Sequence, residues 1–407
     1  MNIFRFMLKK TIKPTVLLTV GLVCIAAVFI ITSFSGAYPD KELYTQLFEE
    51  LPQGQEGYEF ARHSSEKLSD ENTQVLKEAE KYINEHKQGS IPPVLPKDMT
   101  ERVFEARFGS DKSTGGARIQ SAYSLIADTL YSQTNSYDLI SKRTEGYSRN
   151  IRRGVHDEYS LKISEKLTAD YGKVLELESK NNARYDTRWA DHFVKFVRSE
   201  MISYIGIFIL LFSSFSAELQ SGRFKAFKLT TAGALRYSSC RLMCGVLQSA
   251  FFFTVYYAVL SLMTIVMSGR SILSMPAQYL RGFVYSRLPM SFGEFVLYVY
   301  LIKLTFLLML SAAVMLMSLI SGRVIVSALT GLIPISVPFA TKYLPVHDNA
   351  KQIISCDIIS MNNDTNLVNI GGSPVGIVVL FFVTVIFSAL CFAGITLFLS
   401  GRRDCNA

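Results

Sequence analysis

The sequence has few of the residues from which metal and nucleotide sites are built. It holds five histidines, and none belongs to an H-E-x-x-H motif or another spacing typical of metal ligands. The phosphate-binding motif G-x-x-x-x-G-K-[ST] is absent, so any ATP that drives this protein must be hydrolysed by another chain. We therefore expect a chain that is not an enzyme and has no metal or cofactor of its own.

Cysteine is missing from the longest charged stretch of the chain. None of the six cysteines lies between residues 37 and 199. This absence excludes a disulfide framework in that stretch. A domain of this size outside the cytoplasm and without cysteines is typical of bacteria, so we expect a bacterial cell-membrane protein.

Charge is nearly absent from six apolar runs. They are residues 15–34, 201–217, 242–267, 295–320, 324–341 and 375–400. Each run is near or above the roughly 20 residues that cross about 30 Å of hydrocarbon. The sequence therefore predicts an all-α membrane protein with six transmembrane helices.

The formal net charge of +8 does not indicate nucleic-acid binding, because the surplus lies beside the apolar runs. Residues 37–199 hold 24 Lys and Arg against 27 Asp and Glu, and the remaining residues hold 18 against 7. Basic residues in short loops mark the cytoplasmic side of a membrane. With both termini inside, the cytoplasmic pieces hold twelve such residues and the short outer loops hold five. Residues 37–199 then lie outside.

Three regions follow from this orientation: residues 1–36, 37–199 and 200–407. Phe4, Met7 and Leu8 have helical spacing beside basic residues, which suits a helix in the inner interface or an ordinary basic flank. The first apolar run also resembles a signal peptide, but it is longer than a usual signal-peptide core. We therefore favour an uncleaved first span.

The outer region 37–199 has helical patterning. Short helices are expected before residue 109, and helical patterning returns from Ala117. The residues His-Asp-Glu at 156–158 are typical of a helix start. The spacing beyond them predicts a helix that runs down through 158–198 into the second span, with an apolar stripe that is a packing seam rather than a ligand site. The stripe contains Ile163, Leu167, Tyr171, Val174, Leu177, Trp189, Phe193, Phe196 and Val197.

Three residues inside the apolar runs are candidates for a substrate path or for helix pairing. Lys303 lies in the fourth run, where a cation costs about 2.5–3.5 kcal/mol and usually faces a bundle interior or a cavity. Its alternative is a side chain that reaches outward to the interface. Pro334 and Pro338 interrupt backbone hydrogen bonding in the fifth run and predict a kinked or half-crossing helix.

A short basic segment, residues 218–241, separates the second and third runs. Gly222 and Gly233 bracket a predicted short helix with Phe224 and Phe227, which lies among basic residues. Exposed aromatic side chains beside cations suit insertion into the groove of a partner. An ordinary basic loop would explain the cations but not the aromatic residues. The other candidate contact residues of the segment are Glu218, Arg223, Lys225, Lys228, Thr230, Arg236 and Arg241.

This segment resembles the signature that follows the second span in type-2 ABC exporter permeases. The resemblance is carried by Glu218, Gly222, Thr230, Arg236 and Arg241, although Ala232 and Gly233 stand where the family has proline. It implies a membrane subunit that pairs with a second permease subunit and with cytoplasmic ATPases, which bind ATP and Mg. Residues 218–235 would be the coupling helix that sits in a cleft of the ATPase.

Two functions from different classes remain open. One is export of a peptide, drug or lipid, and Lys303 and the broken fifth run favour such a path. The other is a complex that transports nothing and either transmits force through the 158–198 helix or senses a peptide through the outer region. A membrane-bound enzyme is a third class, and it is disfavoured because the sequence has no grouping of acids, bases or metal ligands.

Overall fold

The computed structural model shows a mostly helical chain. It describes residues 21–22, 25, 47–51, 55–62, 64, 74, 78, 81–82, 96, 116–154, 157–180, 185–199, 201–224, 233–343, 345, 347–363 and 366–402. The predicted interface helix at the N-terminus, most of the first apolar run and most of the region before residue 109 lie outside these residues.

Two long helices, α1 (Gly116–Arg152) and α2 (Glu158–Ser179), form a hairpin before the apolar part of the chain. The predicted start of α2 is confirmed. The Asp157 carboxylate caps it by accepting hydrogen bonds from the backbone N–H groups of Tyr159 (3.3 Å) and Ser160 (3.2 Å). The apolar stripe of α2 is a packing seam, as predicted. Its buried apolar residues are Leu167, Tyr171 and Val174.

The prediction of one continuous helix through 158–198 is wrong. Residues 185–187 are not helical, and α3 (Arg188–Ser199) and α4 (Met201–Leu211) follow them. Between α2 and α3, Gln133 of α1 donates to the carbonyl of Tyr185 (2.6 Å) and accepts from its N–H (3.0 Å). Because both backbone groups of Tyr185 are bound by another helix, they are not used in helical hydrogen bonds.

Four helices in the described part of the chain are long and apolar enough to cross a membrane, which is compatible with a membrane protein. They are Met201–Gln220 (α4 with the short helix α5, Ser216–Gln220), α6 (Gly233–Ser268), α7 (Phe292–Ser321) and α12 (Ile377–Arg402). On α12, Phe387 is 67% exposed and Leu390 is 66% exposed. Extended apolar surface of this kind is typical of contact with lipid.

The fifth predicted span is two short helices, α8 (Val324–Thr330) and α9 (Leu332–Ala340). Pro334 has no N–H to donate to the carbonyl of Thr330 four residues earlier, and the helix is interrupted at this turn. The run that the prolines predict to be irregular is therefore interrupted, although no bend between α8 and α9 is assigned. The two helices together measure roughly 25 Å at about 1.5 Å per residue, which is short for a crossing. The described residues thus give four candidate spans where the sequence predicts six.

The shorter elements gather at one end of the four-helix bundle, which we call the domain end. They are the 3₁₀ turns Arg270–Ser274, Ala277–Tyr279 and Thr341–Tyr343, helices α10 (Asp348–Ser355) and α11 (Ile358–Met361), and strands β1 (Leu367–Ile370) and β2 (Ser373–Gly376). The hairpin of α1 and α2 rests on them, because the Tyr171 hydroxyl donates to the carbonyl of Tyr285 (3.0 Å) and Lys166 Nζ donates to that of Pro374 (2.9 Å).

Strands β1 and β2 form a small antiparallel hairpin that the all-α prediction does not include. Gly371 (φ 61°) and Gly372 (φ 79°) connect the strands. Positive φ at both central residues is the requirement of a type I′ turn, which glycine meets without strain. The Gly-Gly pair is the sequence signal that could have predicted this hairpin.

Candidate functional site

The described flanks of the predicted coupling segment, α5 and the start of α6, lie at the end of the bundle opposite to the domain end. The described members of the segment are Glu218, Gly222, Arg223, Phe224, Arg236 and Arg241. The others, Lys225, Phe227, Lys228 and Thr230, lie outside the described residues. The described flanks of the segment are therefore the C-terminal end of α5 with the turn after it and the N-terminal turns of α6.

The two bracketing glycines have a backbone conformation that favours glycine. Gly222 has φ 71° and Gly233 has φ 65°, in the left-handed region. Gly222 follows the last turn of α5 and donates its N–H to the carbonyl of Leu219 (3.2 Å). Glycine is the usual residue at such a helix end because it has no Cβ to clash. Both glycines that bracket the predicted short helix thus have a positive φ, which glycine adopts most easily.

Glu218 and Phe224 are both buried, and both contact Tyr237 in the second turn of α6. The hydroxyl group of Tyr237 donates a hydrogen bond to Oε2 of Glu218, whose side chain is buried. The Phe224 ring is 3% exposed and meets the Tyr237 ring edge-on, with centroids 5.9 Å apart. The expectation that Phe224 is exposed is wrong, because its ring packs inside this chain. Arg223 and Arg236 are exposed.

Arg241 joins α6 to the break between α4 and α5. Its Nε donates to the carbonyl of Ser214 (3.2 Å), which lies in the turn that separates these two helices. The sequence predicts Arg241 as one member of a basic flank. The structure adds that this guanidinium group binds a carbonyl that the broken helix leaves without a helical partner.

Two buried serines that the sequence analysis missed complete this end of the bundle. Ser318 Oγ of α7 accepts from the backbone N–H groups of Phe215 (3.0 Å) and Ser216 (3.1 Å). The Ser327 hydroxyl of α8 donates to the carbonyl of Phe212. In an apolar surrounding, free backbone groups must find protein partners. Small polar residues inside apolar runs were the available signal.

Lys303 of α7 is completely buried, and its Nζ has no hydrogen-bond partner in the described part of the chain. It lies roughly 16 Å along the helix from Phe292, at about 1.5 Å per residue. The prediction that this side chain faces the bundle interior is confirmed, and the alternative of an outward-reaching lysine is wrong.

The two predicted path regions meet at Tyr204 of α4. Its ring contacts Phe306, one turn after Lys303 (centroids 6.0 Å apart), and Phe339, next to Pro338 (5.6 Å). The Tyr204 ring is 2% exposed. The Tyr204 ring therefore lies between the part of α7 near Lys303 and helix α9.

Two acids at the domain end have perturbed pKa values. Burial raises the pKa of Glu178 to about 7, and the Ser136 hydroxyl opposes this rise. Burial raises the pKa of Asp191 to about 6, although the Arg281 N–H (2.7 Å) stabilises its anion. Among the described residues, no group of three or more His, Cys, Asp and Glu could hold a metal ion.

No protein-family model matches this chain, and a comparison with curated proteins finds no match. The fold itself defines a mostly helical protein with four helices compatible with a membrane.

Proposed function

We propose that this chain is the permease subunit of a type-2 ABC exporter, which moves a peptide, drug or lipid outward across a bacterial cell membrane. A second permease subunit and separate cytoplasmic ATPases complete the complex, and the ATPases bind ATP and Mg. Both termini and the segment 218–241 lie in the cytoplasm, and residues 37–199 lie outside. The four apolar helices and the motif around Glu218 support this assignment.

The observation that carries the proposal is how tightly the flanks of the coupling segment are tied to the bundle. The Tyr237 hydroxyl binds Glu218, and Arg241 binds the carbonyl of Ser214. Ser318 and Ser327 bind the backbone of the same turn from α7 and α8. Force applied between α5 and α6 would therefore reach four helices through buried polar contacts rather than through a slack loop.

Force transmission without transport is the weaker candidate. Its support was an unbroken helix through 158–198, and the structure interrupts that helix between α2 and α3. The buried Lys303 and the interruption between α8 and α9 still support a substrate path, and therefore transport.

The test is the ATP hydrolysis that accompanies the tagged full-length chain when it is purified from its native membranes. The double substitution Arg223→Glu and Arg236→Glu reverses two exposed charges beside the coupling segment, so we expect Mg-ATP hydrolysis in the purified sample to fall about tenfold. The control is Arg149→Glu, which reverses the charge of an exposed residue on α1. It should leave ATP hydrolysis unchanged. The proposal is wrong if no ATP hydrolysis accompanies the purified wild-type chain. It is also wrong if the double variant hydrolyses ATP as fast as the wild type does.

A further inference from the structure

The hairpin of α1 and α2 is attached to the domain end at two places. The first, which we call the outer end, consists of Lys162 and Lys166 near the start of α2 and Tyr171 in its middle. Their polar side-chain atoms donate to backbone carbonyls of the domain end, at distances of 3.3, 2.9 and 3.0 Å. None of these three contacts involves a carboxyl group.

The second place of attachment, which we call the inner end, lies at the last turn of α2. Gln133 of α1 binds both backbone groups of Tyr185, and the Tyr185 hydroxyl lies 3.2 Å from Oγ of Ser274. The Tyr185 ring also meets the ring of Tyr279, with centroids 6.3 Å apart. The inner end therefore joins α1 and the residues after α2 to the segment 277–281.

Glu178 adds a buried carboxyl group to the inner end. The residue is 5% exposed, and neither of its Oε atoms has a hydrogen-bond donor in the described part of the chain. The Ser136 hydroxyl of α1 is near enough to stabilise the anion, although it makes no hydrogen bond of normal geometry. Across the interface, burial and the nearby Glu178 carboxyl raise the pKa of Tyr279. The carboxyl group thus lies where α2 meets both α1 and the segment 277–281.

Among the described residues, no cation compensates the anion of Glu178. The groups that face it are uncharged: Ser136 from α1 and Tyr279 from across the interface. On α2 itself, Glu176 and Lys180 pair with each other at the exposed surface (2.7 Å). Burial raises the pKa of Glu178 to about 7 against the opposing effect of the Ser136 hydroxyl. The carboxyl group is therefore neutral below this pH, and above it the site holds a buried charge without a partner.

Asp191 of α3 faces the same segment in different surroundings. Its carboxylate accepts hydrogen bonds from the backbone N–H of Arg281 (2.7 Å) and from the Thr187 hydroxyl (3.2 Å). The charges of Lys195 and Arg281 also favour its ionised form. Ionisation of Asp191 therefore strengthens its contact with the segment, whereas ionisation of Glu178 has no such compensation.

We propose that the inner end of the hairpin is a pH-sensitive latch. With the Glu178 carboxyl protonated, the last turn of α2 is closed against α1 and the segment 277–281. When the carboxyl loses its proton to solvent, this last turn unwinds and the inner end opens, so that water reaches the anion. The contacts of the outer end keep the hairpin attached. The inference goes beyond the proposed function, since the latch needs neither an ATPase nor a substrate.

Hydrogen exchange of the purified full-length chain in a nonionic detergent, measured by mass spectrometry at pH 6 and pH 8, tests the latch. Protection is the intrinsic exchange rate of each peptide at that pH divided by its measured rate. The folded pKa of Glu178, about 7, lies above the ordinary value of 4.5, so closure is favoured at low pH and weakens as the pH rises toward 7. Protection of peptides from 130–137 and 174–180 should therefore fall about tenfold between pH 6 and pH 8. Peptides from 160–171, at the outer end, should keep their protection.

Three variants identify the group that titrates. Glu178→Gln keeps the shape of the side chain but cannot ionise, so its inner end should be equally protected at both pH values. Glu176→Gln, on the exposed side of the same turn, is the matched control and should show the wild-type fall. Ser136→Ala removes the hydroxyl that stabilises the Glu178 anion and should move the midpoint of the fall to higher pH. A general loss of packing would not produce such a shift of the midpoint.

Equal protection of the wild-type inner end at pH 6 and pH 8 would overturn the proposal. A fall that persists in Glu178→Gln, or a midpoint that does not move in Ser136→Ala, would place the titrating group elsewhere and overturn it as well. An equal loss at the outer end would show unfolding of the whole hairpin instead of a latch. None of these results bears on the partner ATPase, which has its own test.

Discussion

Single buried polar groups can have pKa values far from those of exposed groups in this chain. Glu178 is an example: it lies in the last turn of α2 with 5% exposure, and burial raises its pKa to about 7. The neighbouring acid Glu176 is exposed, and its hydrogen bond and ion pair with Lys180 lower its pKa. Two glutamates two residues apart thus have opposite electrostatic surroundings.

Glu178→Gln should remove a pH dependence of stability. Because the folded pKa lies above the unfolded one, the folded chain holds the proton more tightly, and the free energy of unfolding falls as the pH rises from about 4.5 to about 7. At pH 8 the variant should therefore be more stable than the wild type by up to about 3 kcal/mol, and at pH 4.5 the two should be equal. Thermal unfolding in detergent at both pH values measures the difference.

Glu176→Gln is the matched control for this experiment, since the side chain is exposed on the same helix. It should show no gain at pH 8. If Glu178→Gln and Glu176→Gln change the unfolding temperature alike at both pH values, burial of the Glu178 carboxyl does not control its protonation.

At the scale of elements, broken helices are held by side chains from their neighbours. The turn between α4 and α5 depends on Ser318 of α7, which accepts two backbone N–H groups. The extended residue Tyr185 depends in the same way on Gln133 of α1. Such breaks are stable because another element satisfies the exposed backbone groups.

Ser318→Ala should therefore destabilise the protein more than an ordinary buried serine does. It leaves the N–H groups of Phe215 and Ser216 without this acceptor, at a cost of about 1–3 kcal/mol for each. The control Ser311→Ala removes an equally buried hydroxyl that only donates to the Leu307 carbonyl of its own helix (2.7 Å), and it should cost less than about 1 kcal/mol. Denaturant unfolding in detergent compares the two variants, and equal losses would contradict the assigned role of Ser318.

The whole molecule has two unlike ends. Folded elements, including the hairpin of α1 and α2 and the strands β1 and β2, lie at the domain end, whereas short connections with exposed Arg223 and Arg236 lie at the opposite end. Basic residues in short loops mark the cytoplasmic side of a membrane. Under the proposed function, the domain end lies outside.

Cysteine labelling tests this orientation on exposed positions. In a chain whose six native cysteines are replaced by serine, Asp138→Cys on α1 should react with an impermeant maleimide on intact cells. Arg223→Cys should react only after the cells are permeabilised. The reverse labelling pattern would place the coupling segment outside and remove the basis for a cytoplasmic ATPase.

The sequence by itself determined the local features of this protein. Four of its apolar runs form long apolar helices, the Asp157 cap and the stripe of α2 are where the spacing predicts them, and the fifth run is interrupted one turn before Pro334. These features depend on hydropathy, on side chains close in sequence and on backbone chemistry. Each of these can be read from a short stretch of the sequence.

Only the tertiary structure decided which polar groups meet. It interrupts the predicted 158–198 helix through Gln133, buries Phe224 against Tyr237, and leaves Lys303 without a partner among the described residues. It also joins α3, α9 and α10 around one cavity. These outcomes depend on contacts between residues far apart in the chain, and hydropathy and spacing within one segment carry no information about them.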